Sequence, residues 1–256
     1  MSEDRPKLVA VQARYPEDPV RDVPGVLAKA ARAVQEGGIA VLPEYFYKRV
    51  DQPPRPEEVA HLDQVEGWVL EASETTEGAL VATVPEQAGE EIYNTAIVAH
   101  GGKVVHHQRK IRPTDKELEA GVTPGEQLTT TQVDGVELGV LVCADVVALD
   151  LLAEMAELGP DVVAVPVLSP LRRDDLTQAA RTSVFVARAW DLGAYVVKAG
   201  GHWNPDAVGR SLITAPWGLL AQAPGDYEDA VLAASASRAR LAQVRGEFDG
   251  LGDASR

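Results

Sequence analysis

Apolar and polar positions along this chain of 256 residues follow two rhythms. Short apolar runs rich in Val, Leu, Ile and Ala predict buried strands, and apolar positions three or four residues apart predict amphipathic helices. Gly-Gly, Asp-Gly and Pro-Trp-Gly stretches predict three hairpin turns. The predicted strands and hairpins cover residues 7–13, 39–43, 79–86, 92–110, 128–143, 161–168, 194–201 and 209–224. The predicted helices cover residues 22–38, 55–78, 148–159 and 173–193, and residues 230–248 form a predicted strand followed by a final helix.

The order of these elements predicts an α/β fold. Strands that alternate with helices and are interrupted by hairpins fit two mixed sheets packed together, with helices outside, better than a single parallel sheet. No linker, repeat or change of composition divides the chain. We therefore expect one domain over residues 1–248 and a flexible tail over residues 249–256.

Composition narrows the class of protein. Hydrophobic residues make up 45% of the chain, which is enough for a substantial core. The formal net charge is -15, so the surface repels phosphate backbones and anionic membranes. A single cysteine excludes an internal disulfide, and the sequence shows neither a secretory leader nor an apolar run of bilayer length. We expect a cytoplasmic protein that binds neither nucleic acid nor membranes.

The only cysteine, Cys143, stands at the end of the predicted strand segment "LGVLVC". A lone cysteine in an apolar strand is most often a small buried hydrophobe. The carboxyl ends of strands, however, line the clefts of α/β folds, and a helix that begins a few residues later favours the thiolate. Taken alone, Cys143 is either a core residue or a nucleophile.

Two more polar residues follow apolar strands. Glu44 lies between "IAVLP" and "YF", where apolar neighbours would desolvate a general base, or else it is a loop glutamate that faces water. Lys110 follows a predicted strand and either stabilises developing negative charge or belongs to a solvated basic cluster. A thiol, a carboxylate and an ammonium together suffice for acyl transfer by nucleophilic catalysis.

The remaining polar candidates indicate no metal or phosphate site. His106 and His107 are adjacent on a predicted strand and face opposite sides, and no further ligands complete a metal site. There is no glycine-rich phosphate loop and no serine-hydrolase elbow. Asp145 either caps the following helix or fixes the cysteine loop. Lys198 interrupts a buried strand, either at the strand end or as a substrate contact.

Three segments resemble, in this order, the motifs of the nitrilase superfamily of carbon–nitrogen hydrolases. "VLPEYF" is similar to the family's glutamate motif, "HQRKIRPTDKE" to its lysine motif, and "GVLVCADVVALDLLAEMAELGPDVVAVPVLS" to its cysteine motif. The resemblance covers nearly the whole chain and implies a four-layer αββα sandwich. It also implies that Cys143 is the nucleophile, Glu44 the general base and Lys110 the group that stabilises the tetrahedral intermediate.

The same resemblance implies further features of the site. A second glutamate that follows the lysine helps to position substrate; Glu117 matches best by spacing, within a predicted short surface helix, and Glu119 is the competitor. The backbone N–H of Ala144 shares the oxyanion with the lysine. No cofactor or metal is implied. Family members usually dimerise through helices that flank the cysteine motif, so we expect a homodimer or a higher homo-oligomer.

Departures from the family pattern lie behind the cysteine. "VVALD" lacks the usual aromatic residue and Pro-Glu pair, and Gly200 stands near a position where Asn is common. These departures preserve the catalytic residues and alter the pocket wall. Lys198, near that wall, suggests a substrate with a carboxylate.

We therefore expect hydrolysis of a small linear amide or carbamoyl compound through a thioester on Cys143. Nitrile hydrolysis and acyl transfer to an amine are alternatives that use the same site. From other classes, a catalytically inactive binding or scaffold protein and a redox protein with a sensor thiol stay open.

Overall fold

Two six-stranded sheets, packed face to face, form the centre of the structure, and helices cover both outer faces. The structure is a computed structural model, in which residues 5–48, 62–170 and 180–253 are described. This layering is the αββα sandwich with two mixed sheets that the sequence predicts, so the predicted fold is confirmed.

Each sheet mixes parallel and antiparallel strands. The first sheet contains, in spatial order, β12 (Ala230–Ser235), β1 (Lys7–Gln12), β2 (Ile39–Val41), β3 (Ala79–Ala88), β4 (Glu91–His100) and β5 (Lys103–Arg109). The second sheet contains β11 (Gly218–Gln222), β10 (Leu212–Ala215), β9 (Tyr195–Gly200), β8 (Val162–Val167), β7 (Val136–Val140) and β6 (Thr130–Val133). β1 to β3 and β7 to β9 are parallel. The three predicted hairpins, β4–β5, β6–β7 and β10–β11, are confirmed.

The helices complete the outer layers. The first sheet is covered by α1 (Pro19–Ala33) and α2 (Leu62–Glu74), and the second by α4 (Leu149–Leu158) and α5 (Arg181–Leu192). The short α3 (Asp115–Glu119) follows β5, and α6 (Arg238–Asp253) follows β12. None of the helices within the described ranges is long and apolar enough to cross a membrane.

Strand geometry distributes the apolar side chains between the layers. In β1, Leu8 and Ala10 lie in the core between the sheets, whereas Val9 and Val11 pack with residues of α1 and α2. The same alternation holds in β8, between the inter-sheet core and the layer of α4 and α5. Because both faces of these parallel strands are buried, their sequences are short apolar runs without a polar alternation.

The strands that precede the predicted site residues all finish at the same end of the sandwich. β5 runs in the direction of β2, because β3 is parallel to β2 and two antiparallel pairings then lead to β5. β1 and β9 also share a direction, since Arg14 and His202, just beyond them, form a parallel bridge. The carboxyl ends of β2, β5, β7 and β9 therefore meet at one end, which is where α/β folds place their sites.

The first helix begins earlier than predicted. We expected a start at residue 22, but α1 starts at Pro19, because the Asp18 carboxylate accepts hydrogen bonds from the N–H groups of Val20 and Arg21. Pro19 suits the first helical position, where a missing N–H leaves no hydrogen bond unmade.

Other boundaries also differ. β3 continues to Ala88 and forms an additional hairpin with β4 around Gly89, whose φ of 67° suits a tight turn. α6 continues to Asp253, so helix extends into the segment predicted as a tail. The predicted helix starts at residues 55 and 173 lie outside the described residues.

Candidate active site

Glu44, Lys110 and Cys143 lie together at the shared end of the two sheets. They follow β2, β5 and β7, respectively. Lys110 Nζ donates a hydrogen bond of 2.8 Å to Glu44 Oε1. Cys143 Sγ lies 3.6 Å from the carbonyl oxygen of Leu168, whose N–H donates a bond of 3.0 Å to Glu44 Oε2. The structure thus brings the three predicted catalytic side chains into one cluster, in which Glu44 and Lys110 are each only 1% exposed.

Cys143 has an unusual backbone conformation. Its φ is 51°, which residues other than glycine rarely adopt, and it begins a single 3₁₀ turn, Cys143–Val147. Ala144, the predicted oxyanion donor, is the second residue of this turn. Strain of this kind is common at functional sites and persists only where the surrounding structure enforces it. It favours a nucleophile over a core-filling cysteine.

Glu117 accepts hydrogen bonds from four different residues, and this suits it to hold a charged partner in place. It lies in α3 and accepts from Lys110 Nζ (2.7 and 3.0 Å), Tyr45 OH (2.5 Å), Asn94 Nδ2 (3.0 Å), and the N–H and hydroxyl of Thr114 (2.7 and 2.8 Å). Burial alone would raise the pKa of Glu117, but the charge of Lys110 and these hydrogen bonds outweigh burial and bring the pKa to about 2. Glu117 is therefore a poor base and a strong partner for Lys110.

The choice between Glu117 and Glu119 follows from helix geometry. Residues two positions apart in a helix project about 200° apart, so only one of them can face Lys110. Glu117 is buried in the cluster, and Glu119 is exposed. The short helix predicted at the surface therefore has one face in the site.

Glu44 accepts fewer hydrogen bonds than Glu117 and can accept another. Its Oε1 accepts from Lys110 Nζ (2.8 Å) and Asn94 Nδ2 (2.9 Å), and its Oε2 accepts from the N–H of Leu168 (3.0 Å). The N–H of Leu168 donates to Glu44, and the carbonyl oxygen of the same residue lies 3.6 Å from Cys143 Sγ, so Glu44 lies on the thiol side of the cluster. Of the two glutamates, Glu44 is the one placed to take the thiol proton.

The thiol is protonated in this arrangement. Burial and the negative charge of Glu44 raise the pKa of Cys143, and Lys110 offsets only part of that rise. Burial disfavours the charged ammonium of Lys110, yet the carboxylates of Glu44 and Glu117 outweigh burial and raise its pKa. The sequence suggested a thiolate favoured by a nearby helix; the structure instead surrounds a neutral thiol with a base and a cation.

Sequence reasoning did not find two members of the cluster, Tyr45 and Asn94. Asn94 donates one amide hydrogen to Glu44 and one to Glu117. Its Oδ1 is buried and has no hydrogen-bond partner among the described residues, so the two carboxylates dictate how the amide is turned. Tyr45, with a φ of 55°, donates its hydroxyl to Glu117. The sequence feature that could have indicated Asn94 is a single amide side chain in the mostly apolar, buried part of β4.

Lys198 makes its hydrogen bonds away from this cluster. Its Nζ donates to the carbonyl oxygens of Gly209 (2.9 Å) and Arg210 (2.7 Å), and burial lowers its pKa to about 7. A Cβ on Gly200 would overlap the carbonyl oxygen of Gly209. The segment at 209–210 thus approaches β9 more closely than a side chain at position 200 would allow.

The two adjacent histidines lie on β5, as predicted. His106 is half-buried and His107 is exposed, as expected for neighbours on opposite faces of a strand. Within the described part of the chain, no three His, Cys, Asp or Glu side chains form a group that could hold a metal ion.

Comparison with known proteins extends these observations. The sequence matches the carbon-nitrogen hydrolase family over residues 7–246. A glutamine-dependent NAD(+) synthetase of Xanthomonas campestris is 28% identical over 213 residues, 78% of this chain and 38% of that protein, so this chain spans well under half of that relative. A deaminated glutathione amidase of Escherichia coli is 25% identical over 176 residues, 66% of this chain and 64% of that protein.

Solved structures share the fold. A cysteine-to-alanine variant of an amidase of the nitrilase superfamily from Nesterenkonia AN1 superposes with a TM-score of 0.78 at 23% identity, over 97% of each chain. A glutamate-to-glutamine variant of that amidase, with a TM-score of 0.76 at 21% identity and 97% coverage of each chain, carries the acetamide moiety of fluoroacetamide covalently at its active-site cysteine. The resemblance to the nitrilase superfamily is confirmed.

Glu117→Gln should slow acylation of Cys143 about 100-fold or more, because Lys110 loses the charge that orients it toward a developing oxyanion. The measurement is the burst of p-nitrophenolate released by p-nitrophenyl acetate. Glu119→Gln, two residues along the same helix and exposed, is the matched control and should stay within twofold of the wild type. A Glu117→Gln protein as fast as its control would contradict this role.

Proposed function

The chain belongs to the carbon–nitrogen hydrolase family, and from that premise we propose that it hydrolyses the C–N bond of a small linear amide or carbamoyl compound. The observation that supports this most directly is the buried cluster in which Lys110 bridges Glu44 and Glu117 beside Cys143. A carboxylate base, an ammonium and a thiol are the groups that acyl transfer through a thioester needs.

The first half-reaction forms the thioester. Glu44 takes the proton from Cys143 Sγ as sulfur attacks the carbonyl carbon, which forms a C–S bond and an oxyanion. Lys110 and the N–H of Ala144 stabilise the oxyanion. The C–N bond then breaks, and the proton on Glu44 passes to the leaving nitrogen, so that ammonia or an amine departs.

The second half-reaction restores the enzyme. Glu44, ionised again, takes a proton from water as the water oxygen attacks the thioester carbonyl, and Lys110 again stabilises the oxyanion. The C–S bond breaks, the acid is released, and the sulfur regains its proton from Glu44. A neutral thiol beside a carboxylate with free acceptor capacity supports this order of proton transfers.

Alternatives of other classes fit the site less well. A scaffold has no need for two carboxylates and an ammonium whose desolvation costs several kcal/mol per ion. A sensor thiol needs a lowered pKa, whereas burial and Glu44 raise the pKa of Cys143. Nitrile hydrolysis and acyl transfer to an amine use the same thiol and base, so only the choice of substrate and acceptor separates them from amide hydrolysis.

A screen of amides, ureido acids and nitriles tests the proposed reaction, with Cys143→Ala as the blank. We expect release of ammonia or an amine from at least one amide or ureido acid, and an acyl adduct on Cys143 by intact-mass spectrometry. Glu44→Gln should slow turnover about 10²- to 10⁴-fold, because the general base is lost. No turnover and no adduct across the panel would refute the hydrolase function. Turnover of nitriles alone would show nitrile hydrolysis in place of amide hydrolysis.

We propose further that the substrate carries a carboxylate attracted by Lys198. The side chain of Lys198 is buried within β9. Its Nζ donates to two carbonyl oxygens and lies 5.2 Å from the centre of the Phe185 ring, and no described carboxylate is within ion-pair distance. Buried cations are normally paired with anions. Burial lowers the pKa of Lys198 to about 7, and a substrate carboxylate beside Nζ would favour the charged ammonium.

Lys198→Met removes the charge and shortens the unbranched side chain by one atom. We expect kcat/KM for succinamate to fall about 10-fold or more, as for loss of a hydrogen bond to a charged group. Butyramide, which has a methyl group in place of the carboxylate, serves as the matched substrate and should change less than threefold. Equal effects on both substrates would show that Lys198 only supports the 209–210 segment.

The quaternary structure is a separate proposal. We propose a homodimer or higher homo-oligomer formed through the helices beside the cysteine turn. Three apolar side chains there are largely exposed: Val147 (58%), Leu149 (71%) and Trp190 (53%). They belong to the 3₁₀ turn, α4 and α5, respectively, and α4 packs against both other elements. Exposed apolar surface of this kind marks interaction sites.

Light scattering coupled to size-exclusion chromatography tests this surface. The wild type should elute at twice the chain mass of 27.3 kDa or a higher multiple, and Leu149→Glu should shift it toward the monomer because a charge cannot be buried unpaired. Leu219→Glu, at an apolar residue of the edge strand β11 that is 46% exposed, is the control. A monomeric wild type, or equal shifts in both variants, would contradict the proposed interface.

A further inference from the structure

Asp145 is a fully buried carboxylate that lies outside the cluster around Lys110. Its oxygens accept hydrogen bonds from the backbone N–H groups of Arg112 (2.7 Å), Val142 (3.1 Å) and Ile111 (3.3 Å). Burial raises the pKa of Asp145 to about 6, against the opposing effect of these donors and of Lys110. The group is therefore ionised at neutral pH, without an ion-pair partner among the described residues.

The three N–H groups belong to the two segments that carry Lys110 and the Ala144 N–H, the groups proposed to stabilise the oxyanion. Ile111 and Arg112 follow Lys110 directly, and Val142 precedes Cys143. These segments extend from different sheets, β5 of the first and β7 of the second. One side chain thus joins the lysine loop to the cysteine turn across the interface between the sheets.

We propose that Asp145 is a positioning residue that keeps the Lys110 loop and the cysteine turn in the arrangement in which the Lys110 ammonium and the Ala144 N–H face one oxyanion. Ala144 lies between Cys143 and Asp145, so any rotation of the turn moves its N–H. This role depends on the proposed function, because an oxyanion forms only if the thiol attacks a carbonyl group.

A carboxylate is the group that this position requires. It offers two acceptor oxygens and no donor, which suits three converging N–H groups. An asparagine side chain of the same size would turn one NH₂ group toward those donors, and the two segments would have to separate. Small displacements at a reacting centre have large effects, since about 1 Å of misplacement can cost about 10²-fold in rate.

Asp145→Asn should therefore affect carbonyl addition more than the thiol itself. We expect the burst of p-nitrophenolate from p-nitrophenyl acetate to slow about 10- to 100-fold. Alkylation of Cys143 by iodoacetamide should change less than threefold, because sulfur displaces iodide without forming an oxyanion. Asp150→Asn is the matched control: Asp150 is exposed and pairs with the side chain of Arg112, so both rates should match the wild type.

Two results would contradict the positioning role of Asp145. Unchanged acylation, or equal slowing of acylation and alkylation, would overturn the positioning role. A wild type that neither reacts with the ester nor turns over any amide would refute the proposed function and this role with it. Circular dichroism checks folding; if Asp145→Asn does not fold, Asp145→Ser, which keeps an acceptor oxygen in a smaller side chain, is measured with the same readouts.

Discussion

The ammonium of Lys110, buried between the carboxylates of Glu44 and Glu117, is the interaction on which the site depends. The positive charge of Lys110 offsets part of the cost of burying two neighbouring carboxylates in one place. Burial, together with the negative charge of Glu44, keeps the neighbouring thiol of Cys143 protonated. The proposed first step of catalysis is therefore proton transfer from the thiol to Glu44.

Hydrogen-bond donors convert two identical side chains into groups with different chemistry. Glu117 is surrounded by donors from Tyr45, Thr114 and Lys110, so protonation would break several bonds at once. Glu44 accepts fewer and lies beside the thiol. Different hydrogen-bond environments around two carboxylates are a general way for a site to give them different roles. The positive φ of Cys143, directly after the buried strand end, is enforced by the same packed surroundings.

Most of the fold and three of the site residues could be predicted from the sequence, and the other site residues could not, for physical reasons. Buried strands leave apolar runs, so strand ends, and with them Glu44, Lys110 and Cys143, could be located and matched to family motifs. Hydrogen bonds between segments far apart in the chain leave no local pattern, which is why Asn94 was not found. The choice between Glu117 and Glu119 depended on which face of a single helical turn meets Lys110, and periodicity over five residues cannot fix that.

Gly200, where the sequence departs from the family pattern, is physically coupled to Lys198. The absence of a side chain on Gly200 lets the carbonyl of Gly209 approach β9, and that approach places two carbonyl oxygens within hydrogen-bonding distance of the Lys198 ammonium. A larger residue at position 200 would displace this segment and leave a buried ammonium without acceptors, which is costly. Lys198 shares no hydrogen bond with Glu44, Lys110 or Glu117. A change at position 198 or 200 can therefore alter the proposed contact with a substrate carboxylate and leave the hydrogen bonds of that cluster in place.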